Sequence, residues 1–89
     1  MDEPIRVMVV DDSASTRDML REALSLDGGI AVVSEAGSGQ EAVARAQEAR
    51  PDVILMDVRM PDGDGVKAAR AILGQDPTTK IVALTWSDV

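Results

Sequence analysis

Cysteine, histidine, tyrosine and phenylalanine are all missing from this chain of 89 residues, and Trp86 is its only aromatic residue. Without cysteine there is no disulfide framework and no thiolate metal site, and without histidine there is neither an imidazole ligand nor an imidazole acid–base catalyst. Basic residues are scarce as well: 9 Lys and Arg stand against 16 Asp and Glu, a net charge of -7. That balance argues against direct nucleic-acid binding, which rests on clustered Lys and Arg. No apolar run is long enough to span a bilayer, and the opening Met1-Asp2-Glu3-Pro4 is not a signal-peptide pattern, so a soluble, cytoplasmic protein is expected. No composition shift marks a linker, and residues 1–89 read as one small domain with a modest core.

What is present alternates between strand-like and helix-like segments. Ile5 to Val10 is apolar apart from Arg6, as in a strand buried on both faces. Ser13 or Ser15 is placed to cap a helix whose Met19, Leu20, Ala23 and Leu24 form a stripe on one face, and Asp27-Gly28-Gly29 stops it. Ile30 to Glu35 is a second strand, nearer an edge because it turns polar. Ser38-Gly39-Gln40-Glu41 reads as a capping box opening an alanine-rich helix through Arg50, which Pro51 closes. Val53 to Asp57 is the third strand, Val66 to Leu73 the third helix and Lys80 to Thr85 the fourth strand. The alternation predicts an α/β fold with a parallel sheet and right-handed crossovers.

Two of these strands end in acids. The run Val7-Met8-Val9-Val10 finishes in Asp11-Asp12, and Val53-Ile54-Leu55-Met56 finishes in Asp57. As neighbours in a parallel sheet they would bring three carboxylates to its carboxyl edge, where open α/β sheets bind their ligands. Three such charges repel one another unless a cation joins them. Mg²⁺, which takes one or two carboxylates together with waters and phosphate oxygens, is the natural occupant. The loop Pro61-Asp62-Gly63-Asp64-Gly65 alternates acids and glycines like a calcium loop, but that template needs an acid where Met60 stands and a later glutamate that is not at the expected offset. A turn into a helix, with Gly65 supplying permissive backbone geometry, is the simpler reading.

Three segments, in order and with familiar spacing, resemble the receiver domain of two-component response regulators: Val10-Asp11-Asp12-Ser13, the stretch from Asp57 through Met60-Pro61 to Gly65, and Ile81-Val82-Ala83-Leu84-Thr85. The Asp57-x-x-Met60-Pro61-x-x-x-Gly65 element carries most of the specificity. Gly39-Gln40-Glu41-Ala42 and Arg50-Pro51-Asp52-Val53 are most similar to receivers joined to a LuxR-type helix-turn-helix output domain. The resemblance implies a flavodoxin-like, doubly wound sheet in the order 2-1-3-4 with three helices. It implies that Asp57 accepts a phosphoryl group from a phosphohistidine on a sensor histidine kinase. Mg²⁺ would be held by Asp12, by Asp11 directly or through water, by Asp57 and by the backbone carbonyl of Arg59. Thr85 would offer its hydroxyl to a phosphoryl oxygen. Such a module is a signalling switch and not an enzyme, and DNA binding would belong to an output domain outside these residues. A haloacid-dehalogenase-type phosphotransferase also uses an aspartate at a strand end, but its second acid would fall where Arg59 stands.

Two departures from the receiver pattern shape the expectations. Trp86 follows Thr85 where the family usually has a small residue, either shielding the pocket or turning outward as an interface anchor. Residues 1–89 also stop before the family's next helix, its fifth strand with a lysine and an aromatic switch residue, and its final helix. The expectation is therefore a fragment of a longer regulator or a chain that completes itself by self-association through an exposed fourth strand, with phosphoryl transfer slowed on these residues alone. The competing reading is a degenerate receiver that serves as a dimerisation or interaction module without phosphotransfer.

Overall fold

The computed structural model of the chain describes residues 3–61 and 64–84, so Thr85 and Trp86 lie outside the described residues. Strands β1 (Ile5–Val10), β2 (Ile30–Ala36), β3 (Val53–Asp57) and β4 (Lys80–Leu84) pair in parallel in the order β2-β1-β3-β4. Helices α1 (Ala14–Ser25), α2 (Gly39–Ala49) and α3 (Asp64–Gln75) fill the connections. Order, direction and alternation are those expected from the sequence.

Strand alternation sorts the β1 side chains into two sets. Met8 and Val10 join Ile54 and Met56 under Ala42 and Ala46 of α2 and Ala68 and Ile72 of α3, forming the main core. Alanine at these contact positions lets the two helices lie close to the sheet and to each other. Gly39 takes this furthest: a Cβ there would stand 2.6 Å from the Asp64 carbonyl oxygen. Val7 and Val9, on the opposite face, are also buried.

That second face is covered more thinly. α1 lies against β1 and β2, yet none of its residues is fully buried. Of the expected stripe, Leu20 and Leu24 are half-buried, while Met19 is 55% exposed. Val82 on β4 is 46% exposed. Its neighbour Ile81, expected from the sequence to lie on the uncovered apolar strip, instead packs against the main core. The reason is the period of two along a strand, which sends adjacent side chains to opposite faces.

Local chemistry sets the element ends. Ser13, and not Ser15, caps α1, its Oγ accepting from the Thr16 N–H at 3.3 Å. Ser38 Oγ accepts from the Glu41 N–H at 3.1 Å, but the Glu41 carboxylate pairs with Arg45 at 3.2 Å instead of closing the box. α2 ends one residue earlier than expected because Arg50 turns left-handed at φ 48° as its C-cap. Arg6, the one charge in β1, explains why it interrupts an apolar run: its guanidinium donates to the Ala49 and Arg50 carbonyls at 2.6 and 3.0 Å, satisfying acceptors that a helix end leaves free. β2 runs on to Ala36, which pairs with Val10. α3 extends beyond Val66–Leu73 at both ends, since acidic Asp64 suits a first turn and neither Gly74 nor Gln75 stops a helix as Pro77 does. Beyond it, the hydroxyl and N–H of Thr78 hold the Asp76 carboxyl below the usual carboxylate range. That contribution is present above the ordinary carboxylate pKa and is lost as pH falls through the lowered one.

The glycine contacts give opposite signs to one substitution. Gly39→Ala should destabilise the fold by about 1–3 kcal/mol, because the new methyl meets backbone that cannot yield cheaply. Gly74→Ala, with open space around its site, should stabilise by about 0.5–1 kcal/mol through helix propensity. Urea unfolding of both variants at constant m-value checks the pair.

Candidate functional site at the carboxyl edge

The site is assembled by register. Val10 pairs with Met56 across β1 and β3, so the residues that follow, Asp11 and Asp57, emerge side by side. Carboxylate oxygens of Asp11, Asp12 and Asp57 all lie within 4.8 Å of one another. The three acids expected to meet therefore do meet. Asp11 is 2% and Asp57 6% exposed, whereas Asp12 faces solvent. Together with Ser13, Thr16, Met19 and Arg59 they line a cleft of about 310 Å³. A larger groove of about 550 Å³ lies elsewhere, lined by Ala46, Gln47, Arg50, Ile72, Gln75, Asp76 and Thr79, away from the clustered acids.

Each buried acid uses one oxygen to hold its own turn. Asp11 Oδ1 accepts from the Ser13 N–H at 2.8 Å, and Asp57 Oδ1 accepts from the Arg59 N–H at 2.8 Å. These bonds leave the second oxygens for the cleft. Asp11 Oδ2 is buried and has no hydrogen-bond partner among the described residues. A buried charged acceptor without a partner is costly, and a cation in the cleft would remove that cost. The donor set fits a hard divalent ion, since it offers oxygen alone. The Arg59 side chain, half exposed, lies beside Asp57 with its Nε 3.9 Å from Asp57 Oδ1. Thr85, the remaining expected site residue, lies outside the described residues.

Gly65 has a different purpose from the one the sequence reading gave it. It lies within α3, and a Cβ on it would stand 3.0 Å from the Asp57 carbonyl oxygen and 3.2 Å from the Val58 Cα. The missing side chain lets α3 begin directly against the turn that follows Asp57. Sequence reasoning also passed over Thr16 and Met19 as cleft-lining residues and Arg17 as a hydrogen-bond donor to the Asp11 carbonyl. All three fall within the first two turns of α1, and counting helical positions from the Ser13 cap was the available signal.

Residues 7–89 match the family described as the response regulator receiver domain. Response regulator GacA of Pseudomonas viridiflava is 44% identical over 81 residues, covering 91% of this chain and 38% of that protein. The signal receiver domain of the NarL response regulator from Mycobacterium tuberculosis is 36% identical with a TM-score of 0.87, over 99% of this chain and 71% of that one. The CheX-CheY-BeF3-Mg²⁺ complex from Borrelia burgdorferi is 26% identical with a TM-score of 0.82, over 91% of this chain and 61% of that one. The chain spans only 19% and 38% of the curated relatives it matches first. Because the match runs through every strand end that builds the acid crevice, the chain belongs to the response regulator receiver domain family.

Proposed function

We propose that this chain is the phosphoacceptor switch of a two-component system, with Asp57 receiving a phosphoryl group from a sensor histidine kinase while Mg²⁺ occupies the acid crevice. The observation that carries this reading is the convergence of Asp11, Asp12 and Asp57 with a buried Asp11 Oδ2 that has no partner among the described residues. The second Asp57 oxygen attacks phosphorus, an O–P bond forms as the N–P bond of the donor phosphohistidine breaks, and the donor imidazole is released to take up a proton. A carboxylate is a weak nucleophile, so catalysis rests on placement and charge neutralisation. The Arg59 N–H on Oδ1 fixes the plane of the acceptor carboxylate. Asp11 and Asp12, with the Arg59 backbone carbonyl, would hold the ion, whose chemistry is to neutralise charge on the phosphoryl oxygens. Thr85 follows Leu84, the register partner of Asp57, and its hydroxyl is proposed to contact a phosphoryl oxygen. That a similar structure is a complex with BeF3 and Mg²⁺ supports the reading of the crevice as a metal site.

The family relatives include transcriptional regulators and protein-glutamate methylesterases, so one receiver type serves different outputs. DNA binding, in the LuxR-type manner the sequence resembles, is proposed to reside outside these residues, and a cytoplasmic setting belongs to the same proposal. No helix among the described residues is long and apolar enough to cross a membrane. The half-exposed Val82 and the thinly covered face around it favour a second property, self-association through β4.

Saturating Mg²⁺, at a hundred times its dissociation constant, should stabilise the native chain by about 2.7 kcal/mol in thermal unfolding. Asp12→Asn should lose most of that gain, and Asp57→Asn should stabilise the metal-free chain by relieving like-charge repulsion. Identical melts with and without Mg²⁺ would rule the metal site out. Beryllofluoride with Mg²⁺ should shift the backbone amide NMR signals of Ser13 and Arg59 and leave Asp57→Asn unmoved; a response in that variant would place the acceptor elsewhere. Sedimentation across a concentration series should show reversible association that Val82→Lys suppresses, and an ideal monomer at high concentration would exclude the β4 surface.

A further inference from the structure

Arg17 stands outside the acid cluster yet holds the backbone that presents it. Its Nη1 donates to the Asp11 carbonyl oxygen at 2.6 Å, and its Nε lies 3.5 Å from Glu35 Oε1 on β2. The head group fits beside Gly37, where a Cβ would stand 3.2 Å from Nη1. On the other side of the same residue, the Asp11 N–H donates to the Ala36 carbonyl at 3.1 Å. Both peptide groups flanking the Asp11 Cα are therefore tied, one to the end of β2 and the other to Arg17. The carbonyl that Arg17 grips belongs to the peptide joining Asp11 to Asp12. Rotation of that peptide would redirect the Asp12 carboxylate, which is exposed and accepts no hydrogen bond from a described residue. Neither acid side chain holds the peptide: Asp11 Oδ1 is engaged with Ser13, and its Oδ2 has no partner among the described residues.

A guanidinium beside three carboxylates would by charge alone compete with a bound cation. Glu35 offsets that charge, while Arg21, which also pairs with Glu35, is balanced in turn by Asp18. What remains of the Arg17 contribution is geometric. We propose that Arg17, anchored by Glu35, is a positioning residue that locks the Asp11–Asp12 peptide so that both carboxylates converge with Asp57 on the metal. The assignment rests on the reading that these three acids hold Mg²⁺.

Geometry and charge predict opposite signs, which makes the assignment testable by calorimetric titration of Mg²⁺ into the whole chain. Arg17→Met should weaken Mg²⁺ binding roughly tenfold, the scale on which outer-shell partners act. Arg17→Lys, which keeps the charge but cannot fork between the Asp11 carbonyl and Glu35, should fall between. Glu35→Gln should cause a smaller loss that disappears in the Arg17→Met background, because Glu35 acts through Arg17. If Arg17→Met does not fold, as judged by circular dichroism, the Arg17→Lys and Glu35→Gln losses in folded protein carry the test. Arg17→Met binding as tightly as the native chain, or more tightly, would overturn the assignment, the latter being what loss of a positive charge alone produces. A native chain that takes up no Mg²⁺ would sink the metal reading and the positioning role together. Native binding that Asp12→Asn abolishes, with folded Arg17 and Glu35 variants unaffected, would sink the positioning role alone.

Discussion

Three like charges held within 4.8 Å are the condition that the rest of the structure answers to. Left to themselves, Asp11, Asp12 and Asp57 would swing apart, and Asp12 is free to do so because it faces solvent. For Asp11 and Asp57, what prevents this is backbone. The β1–β3 register fixes the separation of the strand ends. The Ser13 and Arg59 N–H groups each take one oxygen of a buried acid. The absence of a side chain at Gly65 brings the start of α3 against the turn that follows Asp57. Stability is thus spent on keeping an unfavourable arrangement ready for a ligand, as is usual at functional sites.

The core is consistent with that demand. Among the described residues, the side of the sheet under α2 and α3 is built from aliphatic, alanine and methionine contacts with no aromatic ring, and its two helices meet so closely at Gly39 and Asp64 that a methyl does not fit. Close approach here comes from small side chains. The same economy fixes the far end of β1, where Arg6 reaches from the strand to the last carbonyls of α2 and the Asp52 carboxylate accepts the Arg6 N–H at 2.9 Å.

Much of this was legible in the sequence because the signals were local. Apolar runs ending in acids located β1, β3 and the crevice, and the alternation of elements gave the parallel sheet. Less legible were features that depend on distant partners. Arg6 looked like an interruption of a strand, because its acceptors are 43 and 44 residues away. Gly65 read as a turn glycine, because the Asp57 carbonyl it makes room for is invisible to turn rules. The α1 stripe was legible as one apolar face but not how little covers it, since periodicity reports which face is apolar and not its cover; Met19 is 55% exposed. Ile81 and Val82 read as one exposed strip, although strand alternation separates them.

The thin cover over α1 has a dynamic meaning. Cooperative opening begins where few apolar contacts resist it, and α1, with no fully buried residue, is such a segment beside the buried centre of β1. The N-terminal turns of that helix carry Thr16 and Met19 of the cleft and the Arg17 contact to Asp11, so fraying of α1 and loosening of the acid crevice are the same event. Linkage would then work in both directions: a ligand bound in the crevice would slow amide exchange along α1, and whatever packs on α1 from outside would tighten the crevice by the same free energy. The helix with no fully buried residue is therefore a route through which a distant contact would be felt at Asp57.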